Sequence, residues 1–289
     1  MLDVGIVIRT QNRPLMLERA LKNLSEQTLT SWEAVVVNDG GMIEAIDNLC
    51  FSIQVPEGCQ LRVIHLEDPR GTAYAYNRGL RTLAETKYRV VREDINTWEP
   101  DFLEKTTRYL NQRSELKVYG VVTHCSEVKE KYLPNAIRVG KKKPCKTDIA
   151  RLDAPSLVER NPIHPIAFLF TPLSYDLVGG FDEKLPMFAE WDFYLRYLLR
   201  FDIEVMPERL AVIHEQEDAE ENSGDALQHN TLAYSLDFLR KRWMQLPPDS
   251  APLAPEVIRR AGEAIQQSIA EASSSKKKSK GLFSFLKRH

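Results

Sequence analysis

The chain has 289 residues, of which 43% are hydrophobic and 28% charged, and a formal net charge of −2. That length supports one large domain with its own core, and no run approaches the roughly 20 apolar residues that a membrane-spanning helix requires. Six basic side chains (Lys276, Lys277, Lys278, Lys280, Lys287 and Arg288) occupy the C-terminal end without an acid, so the body is acidic, which excludes broad nucleic-acid binding because phosphate contacts need a basic face.

At the N-terminus, Met1-Leu2-Asp3 leads straight into an apolar run with no basic segment or cleavage site, so no secretion signal is expected and a cytoplasmic location follows. Val4-Gly5-Ile6-Val7-Ile8 is short, apolar and β-branched and ends at Thr10-Gln11-Asn12-Arg13-Pro14, which predicts a buried strand and a loop. Leu17, Ala20, Leu21 and Leu24 recur at helical spacing. The next apolar run, Ala34-Val35-Val36-Val37, stops at the turn-forming Asn38-Asp39-Gly40-Gly41. Strand, helix, strand at this spacing predicts parallel pairing, with ligands outside the carboxyl ends of the strands.

The pattern continues with a strand at Leu61–His65, a helix over Thr72–Leu83 and a strand at Tyr88–Val91. A helix near Asp101–Gln112 and a strand near Val118–Thr123 follow. Glu127–Lys146 is basic, polar and poorly periodic and reads as a surface excursion. Beyond it come a strand at Ile166–Phe170, helices at Trp191–Leu199 and Asp225–Trp243, and one more helix after Pro255. Cys50, Cys59, Cys125 and Cys145 lack the close spacing of zinc or redox motifs and read as free thiols. The expected organisation is a domain over 1–245, a linker and helix over 246–272, and a disordered basic and apolar tail over 273–289.

Two segments, Ile8-Arg9-Thr10-Gln11-Asn12-Arg13-Pro14 and Trp32-Glu33-Ala34-Val35-Val36-Val37-Asn38-Asp39-Gly40-Gly41, are followed in order by Gly71-Thr72-Ala73-Tyr74-Ala75-Tyr76-Asn77-Arg78-Gly79 and Trp98-Glu99-Pro100-Asp101-Phe102-Leu103. Val178-Gly179-Gly180-Phe181-Asp182-Glu183 and Ala189-Glu190-Trp191-Asp192-Phe193-Tyr194-Leu195-Arg196 complete the series. From Val4 to about His214 this resembles the inverting GT-A glycosyltransferases of family 2. The resemblance implies an α/β, Rossmann-like mixed sheet flanked by helices, a nucleotide-diphosphate sugar as donor, a UDP-sugar foremost, and a glycan or lipid-linked acceptor.

It implies a donor site at Thr10, Asn12, Arg13, Asp39, Asn77, Arg78, Glu93 and Asp94, with Asp39 accepting from the uracil ring. Taken as residues, Asn38-Asp39-Gly40-Gly41 also suits a plain turn, and Asn77 and Arg78 also suit capping and solvating a helix. The family's D-x-D motif, whose acids hold a divalent cation such as Mn or Mg, aligns with Glu93-Asp94-Ile95, and isoleucine cannot ligate a metal. Three readings are open there. Glu93, Asp94 and His214 form a modified metal site, Arg92 supplies fixed positive charge instead, or turnover is lost and the chain is a nucleotide-sugar-binding scaffold.

Glu190 stands at the family's catalytic base, behind Ala189 in place of an acid, and an acceptor hydroxyl needs such a base during attack. It also suits a plain acid at a helix N-terminus. Asp192 reads as structural, Trp191 and Tyr194 as core or as sugar platforms, and His164 as a loop near the acceptor. The tail Lys276–His289 joins lysines to Leu282, Phe283, Phe285 and Leu286, a combination suited to an anionic membrane surface, to a partner enzyme, or to a solvated end.

Overall fold

A computed structural model describes residues 1–133, 136–217, 234–235, 237–239 and 241–243. The expected helix after Pro255, the 246–272 segment and the tail lie outside the described residues. Of the helix expected over Asp225–Trp243, residues 234–235, 237–239 and 241–243 are helical.

In chain order the elements are β1 (Leu2–Thr10), α1 (Pro14–Ser25), β2 (Trp32–Asp39), α2 (Ile43–Ser52), β3 (Gln60–Leu66), α3 (Thr72–Thr82), β4 (Thr86–Glu93), β5 (Thr97–Trp98) and α4 (Phe102–Asn111). They continue with β6 (Gly120–Leu133), β7 (Ala136–Val139), β8 (Lys143–Pro144), α5 (Ala154–Glu159), β9 (Phe168–Phe170), α6 (Pro172–Val178), α7 (Ala189–Leu198) and β10 (Glu204–Gln216). One sheet runs in the order β3-β2-β1-β4-β9-β6-β10-β5, with β7 and β8 paired to β6. β3, β2, β1 and β4 are parallel, whereas β9 and β5 run antiparallel to their neighbours, so the sheet is mixed.

The central strands are apolar on both faces because helices cover both. Val4, Ile6, Val7 and Ile8 of β1 and Ala34 to Val37 of β2 are all fully buried. α1 buries Met16, Leu17, Ala20, Leu21 and Leu24, one stripe of a helix entered through Pro14 in its first turn. α3 approaches the sheet most closely at Gly79, where a Cβ would sit 2.4 Å from Val7 Cγ1 and 3.0 Å from Val37 Cγ2. Gly79→Ala is therefore expected to cost about 1–3 kcal/mol through overpacking. It lowers the thermal midpoint by about 2–4 °C per kcal/mol in a chain of this size, measured by circular dichroism. An unchanged midpoint would contradict this close approach.

The surface excursion expected over Glu127–Lys146 is instead largely sheet. β6 runs 14 residues and pairs in parallel with β10 as far as Glu130↔Gln216, while β7 and β8 fold back on it. Ser126, Val128 and Glu130 take the inward positions of that strand, and Glu130 is fully buried because Arg19 and His214 meet its charge. A charged residue in an inward slot erases the apolar alternation that marks a strand. All four cysteines are free thiols. No helix among the described residues is long and apolar enough to cross a membrane.

Candidate active site

Parallel strands β1, β2 and β4 end side by side, with Thr10, Asp39 and Glu93 as their last residues. Their polar side chains do not sit apart. They form a continuous ladder of alternating charge. Arg9 Nε donates to Asp39 Oδ2 at 2.9 Å, and its Nη1 donates to Glu93 Oε1 at 3.2 Å. Arg13 Nη2 donates to Glu93 Oε2 at 3.1 Å and pairs with Asp94 Oδ1 at 2.8 Å, the latter contact being an ion pair without hydrogen-bond geometry. Thr10 Oγ1 donates to Asp94 Oδ2 at 2.6 Å. Asp39 and Asp94 are fully buried, and a buried carboxylate holds its charge only where such partners surround it. Burial, the largest influence on Asp94, still pushes its pKa up, against the pull of Thr10 and Arg13.

Asp39 is more than a turn residue. Its Oδ1 accepts the Arg70 N–H at 2.7 Å and its Oδ2 the Gly71 N–H at 3.2 Å, so it pins the loop that launches α3. Gly71 has a φ of 85°, a conformation that favours glycine, and Gly40 at φ 78° packs so tightly under Pro69 that a Cβ would lie 2.6 Å from its ring. Asn38 closes the turn by accepting the Gly41 N–H at 2.9 Å and donating to the Gly41 carbonyl at 3.0 Å.

Glu190 lies in the first turn of α7. Burial and the negative charge of Glu93 push its pKa up, while Arg9 pulls it down. The buried hydroxyls of Tyr76 and Tyr194 feel the Glu190 charge as well. Among the described residues three non-glycines have positive φ, and two flank this cleft: Asn12 (54°) and Phe188 (65°), the residue before α7. Backbone held in this region is costly, and it clusters at sites that need a side chain aimed.

His214 does not join Asp94 in a metal site. It lies within β10, where its Nδ1 meets Glu130 Oε1 at 2.7 Å and its Nε2 meets Thr97 Oγ1 at 2.7 Å. With a neutral ring, Nδ1–H donates to Glu130 and Nε2 accepts from Thr97. Burial, with Arg19 adding to it, pushes the pKa down and keeps the ring neutral. Glu130 is gripped by Arg19 Nη1 at 2.7 and 2.8 Å, and Arg19 Nη2 donates to the Ile95 carbonyl at 2.6 Å. Asn96 Oδ1 accepts the His214 N–H at 3.1 Å. Among the described residues no group of three or more His, Cys, Asp and Glu side chains is placed to hold a metal. The side chains present do not fit the divalent cation that the resemblance implies.

Arg92, the fixed positive charge offered as an alternative, lies in the interior. It is fully buried, its guanidinium lies 4.3 Å over the Trp98 ring, and Nη2 donates to the Asn96 carbonyl. Among the described residues its Nε and Nη1 have no hydrogen-bond partner, and burial lowers its pKa to about 9. Asn77 is turned away from the cleft. It donates to the Phe181 carbonyl and Glu183 Oε1, both at 2.8 Å, and accepts from the Tyr175 hydroxyl at 2.7 Å and the Phe181 N–H at 3.0 Å. That uses the capacity of the amide in tying α3 to the turn before α7. Arg78 is exposed on α3.

Asp192 is buried and paired with Arg196 at 2.7 Å; Trp191 and Tyr194 are core side chains. His164 precedes a short helical turn, and burial pushes its pKa down. Arg9 is the site residue that sequence reasoning missed. Nothing in its spacing marks it, because its partners Asp39 and Glu93 lie on other strands.

A family model described as "Glycosyl transferase family 2" matches residues 5–162, more than half of the chain. An uncharacterised glycosyltransferase of Bacillus subtilis (strain 168), YwdF, is 26% identical over 221 residues, 76% of this chain and 77% of that protein. A PGL/p-HBAD biosynthesis glycosyltransferase of Mycobacterium tuberculosis (strain ATCC 25618 / H37Rv) is 27% identical over 194 residues, 66% of this chain and 68% of that one. Among solved structures, S. aureus TarS 1-349 in complex with UDP-GlcNAc is similar with a TM-score of 0.66 at 13% identity, covering 90% of this chain and 70% of that chain. Mannosyltransferase PcManGT from Pyrobaculum calidifontis, in complex with GDP-Man and Mn2+, is similar with a TM-score of 0.55 at 15% identity, covering 95% and 77%. At these identities the structural likeness is one of fold, the mixed, helix-flanked sheet of the GT-A glycosyltransferases. On the family match and this fold, the chain belongs to glycosyl transferase family 2 and is a glycosyltransferase.

Proposed function

We propose that the protein moves a sugar from a UDP-sugar onto an acceptor hydroxyl with inversion, in the assembly of a cell-surface polysaccharide or glycolipid. The observation that carries this reading is the acid and guanidinium ladder at the ends of β1, β2 and β4 in a chain of glycosyl transferase family 2, with Glu190 in the first turn of α7 as the candidate base. Ligands of open α/β sheets bind at such strand ends. Thr10, Asn12, Arg13, Glu93 and Asp94 border the donor, and Asp39 shapes its nucleoside wall through Arg9 and the 70–71 loop. UDP-GlcNAc in TarS supports the donor class, and a relative named for PGL/p-HBAD biosynthesis supports a biosynthetic role.

In the reaction, Glu190 takes the proton of the acceptor hydroxyl as that oxygen bonds to the anomeric carbon. The bond to the donor's diphosphate oxygen breaks on the opposite face, and UDP leaves with the electron pair. An α-linked donor then yields a β-linked product. The test is UDP release and product configuration by NMR with candidate lipid-linked and glycan acceptors. Donor binding without acceptor-dependent UDP release would favour the scaffold reading, which the Ile95 and His214 geometry motivates.

The C-terminal tail, outside the described residues, carries the proposed attachment to the inner face of a membrane. Lysines near an anionic surface contribute about 1 kcal/mol each. Deleting residues 276–289 is expected to reduce sedimentation with anionic liposomes at low salt while donor binding stays unchanged; equal sedimentation of both forms removes the membrane role.

A further inference from the structure

The place where the second aspartate of a D-x-D motif would project is Ile95, and Ile95 opens onto a cavity of about 500 Å³. Asn12, Arg13, Met16 and His214 share its walls, and among the described residues no Asp or Glu lines it. A hard divalent cation needs anionic oxygen ligands, and this cavity presents none. Among the described residues the one fixed charge on its wall is the Arg13 guanidinium, a third exposed and held in place by Glu93 and Asp94 behind it.

The nearby acids are not waiting for a cation either. Asp39, Glu93 and Asp94 are already paired with Arg9 and Arg13, and a dication entering among them would have to displace a guanidinium. Both ring nitrogens of His214 are committed to Glu130 and Thr97. Two guanidinium groups thus stand among the three carboxylates that a metal-using site would offer to a cation. A planar guanidinium matches phosphate oxygens with parallel N–H donors, which a single ammonium cannot do.

We propose that this chain holds the donor's diphosphate with guanidinium groups, Arg13 foremost, and takes no divalent cation at the donor site. The inference rests on the donor-site reading given above and deepens it. Arg13 is the phosphate ligand, Ile95 the wall that keeps a cation's ligand set incomplete, and Arg9 the group that pairs with Asp39 and Glu93 so that an incoming anion does not face bare carboxylates.

The test is calorimetric titration of the full chain with UDP and with GDP, once in excess MnCl2 and once in EDTA. The affinity of the nucleotide that binds is expected to change by less than about twofold between the two conditions. Arg13→Gln, with its fold checked by circular dichroism, is expected to weaken that nucleotide by about tenfold or more. It should leave the corresponding nucleoside unaffected, with Arg13→Lys intermediate. Binding at least tenfold tighter in MnCl2 would overturn the inference while leaving the donor site in place. Equal weakening of nucleotide and nucleoside in Arg13→Gln would overturn the role of Arg13. Absence of binding by both nucleotides in both conditions would remove the donor-site reading itself, and the inference with it.

Discussion

Replacing Glu190 with glutamine is expected to lower sugar transfer by about 10²- to 10⁴-fold, the usual contribution of a general base, while donor affinity stays at its native value. The amide keeps the shape of the side chain and cannot take the acceptor's proton. The native enzyme should also show the base in its pH profile. Burial and Glu93 raise the Glu190 pKa above the glutamate value of 4.5, so kcat/KM falls as the pH drops through a value higher than that. Glu93→Gln removes a like charge and moves this acid limb to lower pH, provided the fold is retained. Near-native rates in Glu190→Gln would place the base elsewhere.

The second large effect is expected at Asp39. Its carboxylate holds Arg9 and the two N–H groups of Arg70 and Gly71 in a region closed to solvent. Asp39→Ala leaves a buried guanidinium with one of its carboxylates missing, a defect that costs about 3–5 kcal/mol in comparable buried pairs. The loop before α3 loses its anchor in the same step. Urea unfolding should therefore show a lowered midpoint, and UDP affinity should fall together with it. Asp39→Asn keeps an acceptor for the backbone N–H groups and is expected to recover part of the stability. Native stability in Asp39→Ala would contradict the ladder as the organiser of this cleft.

The parallel half of the fold is legible in the sequence because its strands are buried on both faces and punctuated by polar ends. Val4 to Ile8 and Ala34 to Val37 read as strands without any knowledge of their neighbours. β6 is not legible past Thr123, since Glu130 fills an inward position with charge that only its contacts with Arg19 and His214 compensate, and those partners are far off in sequence. The same limit applies at the site. Thr10, Arg13, Glu93 and Asp94 were placed together by motif order. Asn77 carries a residue type suited to a ligand yet spends its hydrogen bonds on Phe181, Glu183 and Tyr175, a fact that only tertiary contacts reveal. Arg9 went unread for the opposite reason: its function lies in joining two acids from different strands, and neither spacing nor composition records that.

The most direct test of the account is acceptor-dependent release of nucleotide diphosphate from a panel of UDP- and GDP-sugars, run in parallel with the native chain and Glu190→Gln. The account predicts release from at least one UDP-sugar by the native chain, a product of inverted anomeric configuration by NMR, and loss of that release in Glu190→Gln despite unchanged donor binding. A native chain that binds a nucleotide sugar and releases no diphosphate with any lipid-linked or glycan acceptor, or a product that retains the donor's configuration, would contradict it.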